Sequence, residues 1–136
     1  MSSHLSPRAP EPVGPYPHAR RAAGLLFLSG IGPRRRGESG VPGVTLDADG
    51  SVRAYDFETQ CRQVFANVRV ILEDAGASWD RIVDVTAYLT DLRRDFASFN
   101  RLYAEAFPDH HPARTTVEVS RLPTPIAIEL KIIAAL

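Results

Sequence analysis

The sequence predicts a single α+β domain in which two helices pack on one face of a sheet. Its length of 136 residues suits one domain rather than two. Apolar residues recur at helical spacing in two separate stretches, and short apolar or alternating segments precede, separate and follow them. Two helices are too few to cover both faces of a sheet of five or more strands, so one face is left for a partner.

The first helix is predicted from Asp56, a suitable N-cap, to Gly76, a suitable C-terminal stop. Its apolar stripe follows three- and four-residue steps through Cys61, Val64, Phe65, Val68, Ile71, Leu72 and Ala75. A second helix is predicted from about Phe96 to Ala106, because a similar stripe ends before Pro108. Between the helices, residues 83–89 alternate apolar and polar as a strand with one buried face does.

The remaining strands are predicted from short apolar runs between turn residues. They are residues 24–30, 44–46, 114–122 and 126–134, with a turn at 47–50 and an exposed, arginine-rich loop at 31–43. The last strand carries apolar residues on both sides, which indicates a central or covered position. Self-association is the natural way to cover the open face of the sheet.

Composition narrows the classes of function. Sixteen basic residues balance sixteen acidic ones, so no overall charge favours nucleic acid. The single cysteine excludes an internal disulfide, and we expect a cytoplasmic protein without a membrane segment. No His/Cys cluster or phosphate-binding glycine loop is present, so we expect no metal and no cofactor. Residues 1–13 are predicted to be a flexible segment, followed by the domain at 14–136.

Two residues near the C-terminus are the main candidates for chemistry. Arg114 lies at the start of a β-branched strand, and a guanidinium fixed by a strand suits bidentate binding of a carboxylate. Glu129 lies within the apolar last strand and is a candidate for proton transfer. Together they predict a small substrate that carries a carboxylate.

With these elements in place, the chain resembles the Rid (YjgF-type) enamine/imine deaminase family over residues 14–134. The matching segments are Gly14–Ala19 (GPYPHA), Phe27–Gly30 (FLSG), Gln60–Asn67, Asn100–Pro108, Pro112–Val117 (PARTTV), Arg121–Pro123 (RLP) and the late Glu129. The resemblance implies a chorismate-mutase-like fold with a mixed sheet, assembled as a homotrimer whose active sites lie between subunits.

The resemblance also implies roles for individual residues. Arg114 would grip the carboxylate of a 2-enamino or 2-imino acid, and Glu129 would orient or deprotonate the attacking water. Tyr16 would close the pocket, while Ser29 and Asn100 would line or brace it. No metal or organic cofactor would take part, and the products would be an oxo acid and ammonia.

Three departures from the common family pattern bear on the substrate. Thr116 stands where the family often has cysteine, so it offers a hydroxyl in place of a thiol. Pro17-His18 replaces the usual Ser-Gln, and Arg34–Arg36 replaces the usual loop after the strand. The last two features resemble the 2-aminomuconate deaminase branch, whose substrate has two carboxylates, and the extra arginines suit the second one.

Each candidate also has a plain structural interpretation. A surface arginine such as Arg114 commonly forms a salt bridge. Glu129 has Lys131 and Arg121 as candidate ion-pair partners. Tyr16 suits packing beside prolines. Ser29 and Asn100 suit ordinary turn or helix-surface hydrogen bonds.

Other residues favour structural roles more clearly. His18 is expected to be a solvent-exposed loop histidine, His110-His111 a polar loop, and Arg34–Arg36 a solvated charge run. Cys61 is expected in the core.

The sequence therefore leaves three candidate functions. The leading one is a deaminase of 2-aminomuconate or of 2-imino acids. The second is a non-catalytic module that binds a small carboxylate in the same cleft. RNA binding or cleavage is the weakest, because the net charge is zero and basic and aromatic residues are not interleaved.

Overall fold

The computed structural model describes every residue from Met1 to Leu136. Eight strands and two α-helices make up the chain, with one 3₁₀ turn at Trp79–Arg81. In chain order they are β1 (Ser2–His4), β2 (Ala19–Ala22), β3 (Leu25–Leu28), β4 (Val44–Leu46), β5 (Val52–Tyr55), α1 (Phe57–Asp74), β6 (Ile82–Leu89), α2 (Leu92–Ala106), β7 (Ala113–Glu118) and β8 (Ile128–Ala135).

Six strands form one mixed sheet in the order β1-β2-β3-β8-β6-β7, while β4 and β5 form a separate two-stranded sheet. Neighbours in the large sheet run antiparallel, except β6 and β7, which run parallel. Parallel strands need a long crossover, and α2 supplies it. Because β7 is last in this strand order, the strand that carries Arg114 is an edge strand.

Both helices begin at an aspartate. Asp56 caps α1 by accepting a hydrogen bond from the backbone N–H of Thr59 at 3.1 Å. Asp91 caps α2 in the same way through Arg94 at 3.0 Å. The predicted start of this helix near Phe96 was wrong by one turn, because three of the first four helical residues are charged and hide the apolar stripe.

The core lies between the two helices and one face of the sheet, as the sequence predicted. In β8 the residues Ile128, Leu130, Ile132 and Ala134 are at most 1% exposed. The intervening residues of β8 are only half-buried. Alternation along this strand therefore separates a covered face from an open face, and this one-sided α+β arrangement is confirmed.

The structure differs from the predicted strands in three places. The short strands β1, β2 and β5 were missed, because three or four residues are too few to show a clear alternation. The strand predicted to reach Leu122 ends at Glu118, and the last strand begins at Ile128. Prolines at 123 and 125 break the segment between them.

The N-terminal segment, predicted to lack fixed structure, packs against the domain. Residues 2–4 pair antiparallel with β2. Ser6 Oγ donates a hydrogen bond to Asp74, and Arg8 forms an ion pair with the same carboxylate at 2.6 Å. A strand pairing and two side-chain contacts thus hold residues that composition alone marked as loose.

None of the helices combines the length and the apolar character that crossing a membrane requires.

Candidate functional site

Arg114 lies on the face of β7 that meets α2. Its Nη2 donates a hydrogen bond to Asn100 Oδ1 at 2.7 Å. Its Cζ lies 5.1 Å from the ring centroid of Phe99 and 4.7 Å from that of Tyr103. We call these four residues the arginine shelf. No salt bridge in the structure includes Arg114, so its charge is held by aromatic faces and one amide oxygen.

Two hydroxyl groups, one within the arginine shelf and one beside it, lack hydrogen-bond partners. Thr116 lies two residues along the same strand, and its Oγ1 is buried without a hydrogen bond. The Tyr103 hydroxyl is also buried without a hydrogen bond. Burial raises the pKa of Tyr103 to about 12, against an opposing effect of the Arg114 charge. Because buried polar groups normally have partners, these two hydroxyls mark hydrogen bonds that a single chain leaves unmade.

Glu129 lies in a small concavity that it shares with Tyr16, Gly30 and Arg34, which we call the glutamate notch. A Cβ added to Gly30 would lie 2.6 Å from Glu129 Oε2, so only glycine lets the carboxyl group pack this closely. Burial raises the pKa of Glu129, and no hydrogen bond or ion pair opposes this. The predicted alternative pairing with Lys131 or Arg121 is absent.

Tyr16 and Ser29 line a second concavity next to the notch. The Tyr16 hydroxyl accepts a hydrogen bond from the backbone N–H of Val13 at 3.3 Å. Ser29 Oγ donates to the carbonyl of Pro17 at 2.7 Å, which ties the end of β3 to the segment that presents Tyr16. The structure therefore brings Tyr16, Ser29 and Glu129 to one region, and Arg114, Asn100 and Thr116 to another.

His18 is buried, with 3% of its surface exposed, so the expectation of an exposed loop histidine was wrong. Its Nδ1 accepts from the backbone N–H of Ser6 at 2.8 Å, and its Nε2 lies 2.7 Å from the carbonyl of Pro10. Since Nδ1 accepts, Nε2 is the nitrogen that donates to the Pro10 carbonyl. His18 thereby fixes the N-terminal segment as one wall beside Tyr16.

Within one chain, the arginine shelf and the glutamate notch lie on opposite faces of the sheet. In register, Ala87 of β6 is flanked by Thr116 and Leu130, on the face that the helices cover. The next residue, Tyr88, is flanked by Val117 and Glu129, on the open face. The two main predicted residues are therefore not neighbours in a single chain.

Other predicted features are easily placed. Cys61 is fully buried, as expected, and burial raises the pKa of its thiol to about 12. His110 Nε2 lies 2.6 Å from the carbonyl of Ile82. A larger cavity of about 460 Å³ lies between β5 and residues 120–127 and contains none of the predicted site residues. No group of three or more His, Cys, Asp or Glu side chains is arranged to hold a metal ion.

Sequence reasoning missed Tyr103, Gly30 and the role of His18. Tyr103 follows Asn100 by three residues, which is helical spacing and therefore one helix face. Gly30 ends the Phe27–Gly30 segment, so the sequence showed the glycine but not its close approach to Glu129. For His18, the only signal was its position within the segment that carries Tyr16.

The sequence matches the family model described as endoribonuclease L-PSP over residues 6–136, nearly the whole chain. The chain belongs to this family. A RutC family protein of Pyrococcus abyssi is 40% identical over 128 residues, which cover 93% of this chain and 91% of that protein. Membership of the endoribonuclease L-PSP family, together with its RutC and Rid relatives, confirms the family resemblance seen in the motifs.

Two further family members carry informative names. The chloroplastic Reactive Intermediate Deaminase A of Arabidopsis thaliana is 37% identical over 129 residues, or 95% of this chain and 63% of that protein. The crystal structure of E. coli TdcF with bound serine superposes with a TM-score of 0.85 at 30% identity, covering 100% of this chain and 99% of that one. The fold is therefore shared across the whole domain.

Proposed function

We propose that this protein is a deaminase that hydrolyses small enamine or imine carboxylic acids to the oxo acid and ammonia. The observation that carries the proposal is Arg114, a guanidinium held on aromatic rings with no carboxylate of its own. Such a group is ready for a ligand's carboxylate. A relative named as a reactive intermediate deaminase and a neighbour with bound serine support the same class of chemistry and ligand.

The reaction needs one water and one group that moves a proton. Water oxygen adds to the carbon of the protonated imine while Glu129 accepts one water proton, giving a carbinolamine. Glu129 returns that proton to the amine nitrogen, then accepts the hydroxyl proton as the C=O bond of the oxo acid forms, the C–N bond breaks and ammonia leaves. Ammonia takes the last proton from Glu129 and departs as ammonium, which restores the carboxylate. A carboxyl whose pKa is raised by burial is a stronger base when ionised, which suits this role.

We infer that the complete site forms between subunits of a homotrimer. Arg114 and Glu129 lie on opposite faces in one chain, so a single copy does not offer both to one substrate. The glutamate notch alone has a volume of about 40 Å³, room for little more than a water. A second copy packed on the open face, with its edge strand β7 nearby, supplies the missing arginine and the missing wall.

The substrate candidates are 2-aminomuconate and the 2-imino acids. Pro17-His18 and Arg34–Arg36 favour the 2-aminomuconate branch, because both features resemble it. Thr116 and Asn100 accompany Arg114 at the carboxylate in either case. Tyr16 and Ser29 border the side of the substrate that faces Glu129.

The decisive test supplies both substrates to the folded oligomer. An amino-acid oxidase generates 2-iminobutyrate in place, and 2-aminomuconate is added separately, with the oxo product and ammonia measured above the uncatalysed rate. Wild type should accelerate at least one, and Arg114→Ala should lose activity while keeping its oligomeric state. Arg93→Ala, an exposed arginine on α2, is the matched control. No acceleration of either substrate by the folded wild type would reject catalysis.

The second candidate is a module that binds a small carboxylate without turning it over. The neighbour crystallised with bound serine favours it. Tight binding of a 2-oxo acid without deamination, unchanged in Glu129→Gln, would support this function. RNA cleavage, which the family description names, remains weakest because sixteen basic residues are balanced by sixteen acidic ones.

A further inference from the structure

The three consecutive arginines at 34–36 are not equivalent. Arg35 donates to Gln63 at 2.8 Å and lies 3.9 Å from Glu38. Arg36 donates to the carbonyl of Ala9 at 2.8 Å and pairs with Glu11 at 3.4 Å. Both side chains are exposed and have acidic partners. Arg34 is half-buried and belongs to no ion pair.

The backbone at Arg34 is fixed to a buried side chain of α1. Asn67, on the buried face of α1 with 4% of its surface exposed, donates to the carbonyls of Gly32 at 2.9 Å and Arg34 at 2.8 Å. Gln63 in turn donates to Asn67 Oδ1 at 3.0 Å. The helix thus fixes the backbone that carries this guanidinium.

Arg34 lines three adjoining spaces. Two of them are the glutamate notch, which it shares with Glu129 and Tyr16, and the neighbouring concavity that contains Ser29. The third is a cavity of about 190 Å³ formed with residues 39–46, and Thr124 borders both this cavity and the notch. That cavity has the volume of about six liquid water molecules. A substrate whose imine carbon lies at Glu129 has room to extend past Arg34.

Arg34 also has unused hydrogen-bonding capacity. A guanidinium has five N–H donors, and the Arg34 side chain makes one hydrogen bond, from Nη2 to the carbonyl of Glu11 at 2.7 Å. Glu129 is the only acidic residue that lines these three spaces, and it forms no ion pair with Arg34. Donors that remain free at a fixed position match the paired oxygens of a carboxylate.

We propose that Arg34 binds a second carboxylate of the substrate and makes the enzyme prefer dicarboxylic imines or enamines. This inference rests on the proposed function, since it assigns the first carboxylate to Arg114 and the reacting carbon to Glu129. It assigns the selectivity to one arginine of the three. Arg35 and Arg36 instead bind other residues of the protein.

The test compares two imines of equal chain length. Glutamate oxidase and L-glutamate generate 2-iminoglutarate, while an amino-acid oxidase and norvaline generate 2-iminopentanoate. For Arg34→Met we expect kcat/KM on the dicarboxylic imine to fall about 10-fold to 100-fold, the range for a hydrogen bond to a charged group. Turnover of the monocarboxylic imine should fall by a smaller factor, so that the ratio of the two kcat/KM values changes, because this imine makes no such bond. Arg35→Met, the neighbouring control, should change neither.

A binding measurement separates this inference from the proposed function. Calorimetry with 2-oxoglutarate and 2-oxopentanoate should show that wild type prefers the former and that Arg34→Met loses that preference. If wild type accelerates no imine but keeps this pattern of binding, catalysis is rejected and the role of Arg34 stands. Equal losses on both ligands in Arg34→Met, or an unchanged ratio, would overturn the role of Arg34 whatever the activity.

Discussion

The arginine shelf and the glutamate notch are built in different ways. The shelf rests on regular structure: Arg114 comes from β7, and Asn100, Phe99 and Tyr103 come from consecutive turns of α2. The notch combines one strand residue, Glu129, with Gly30, Arg34 and Tyr16 from irregular segments. The guanidinium is thus held by packed secondary structure, while the carboxyl that we propose as the proton acceptor lies where irregular segments determine its surroundings.

Replacing Glu129 by Gln should have the largest effect, a loss of kcat of about 10²-fold to 10⁴-fold, the usual contribution of a general base. Binding of a 2-oxo acid should persist. Because burial raises the pKa of Glu129, wild-type kcat/KM should fall as the pH drops through that raised value. Initial rates across pH, with calorimetry for binding, check this; turnover retained in the variant would remove Glu129 from the mechanism.

The same raised pKa predicts the direction of a stability effect. The folded state holds the Glu129 proton to higher pH than the unfolded chain, so the free energy of unfolding decreases as pH rises from the ordinary glutamate range through the raised pKa. Glu129→Gln should lack this decrease. Urea unfolding of both proteins across that pH window measures it.

Arg114→Lys should reduce kcat/KM by about 10-fold to 100-fold, because lysine keeps the charge but loses the planar fork. Its stacking on Tyr103 is also weakened. Urea unfolding should give a free energy within about 1 kcal/mol of wild type, as for an exposed charge contact. Activity equal to wild type would show that charge alone suffices at the shelf.

Gly30→Ala should lower kcat about 10-fold while leaving stability nearly unchanged. The added methyl lies 2.6 Å from Glu129 Oε2, and the end of a flexible side chain moves aside at little cost. A displacement of about 1 Å at a reacting group is enough for a loss of this size. A thermal melt beside steady-state rates separates the two effects, and a rate like that of wild type would mean that the carboxyl position is not critical.

Coexpression of Arg114→Ala with Glu129→Gln tests whether the two regions come from different chains. In randomly mixed oligomers, about one site in four receives an intact arginine from one copy and an intact glutamate from another. Activity should therefore recover to about a quarter of wild type. Each variant expressed alone is the control, and mixed oligomers no more active than those controls would place both residues in one chain's site.

Tyr103→Phe should have the smallest effect. Its hydroxyl is buried without a partner, and removing an unpaired buried group leaves stability unchanged or slightly higher. If the hydroxyl meets the substrate, kcat/KM should fall only about 3-fold or less, since Arg114 and Asn100 remain. A larger loss would make Tyr103 a main contact of the carboxylate.

Sequence reasoning predicted the helices, the main strands and the one-sided core. In those segments the apolar residues recur over enough positions to distinguish helical from strand spacing. It missed β1 and β2, whose residues are mostly polar and whose stability comes from pairing with distant segments. Arg114 and Glu129 were visible as residue types. Their placement on opposite faces depends on the register of β6 against both neighbours, which no local pattern encodes.

The buried imidazole of His18 has a practical consequence for protein engineering. Removing the first nine residues would delete Ser6, the donor to Nδ1, together with β1 and the Arg8 contact to the end of α1. It would also expose the flank of the pocket that carries Tyr16. Affinity tags are therefore better fused at the opposite terminus, and trimming this end for crystallisation would remove contacts that hold the N-terminal segment against the domain.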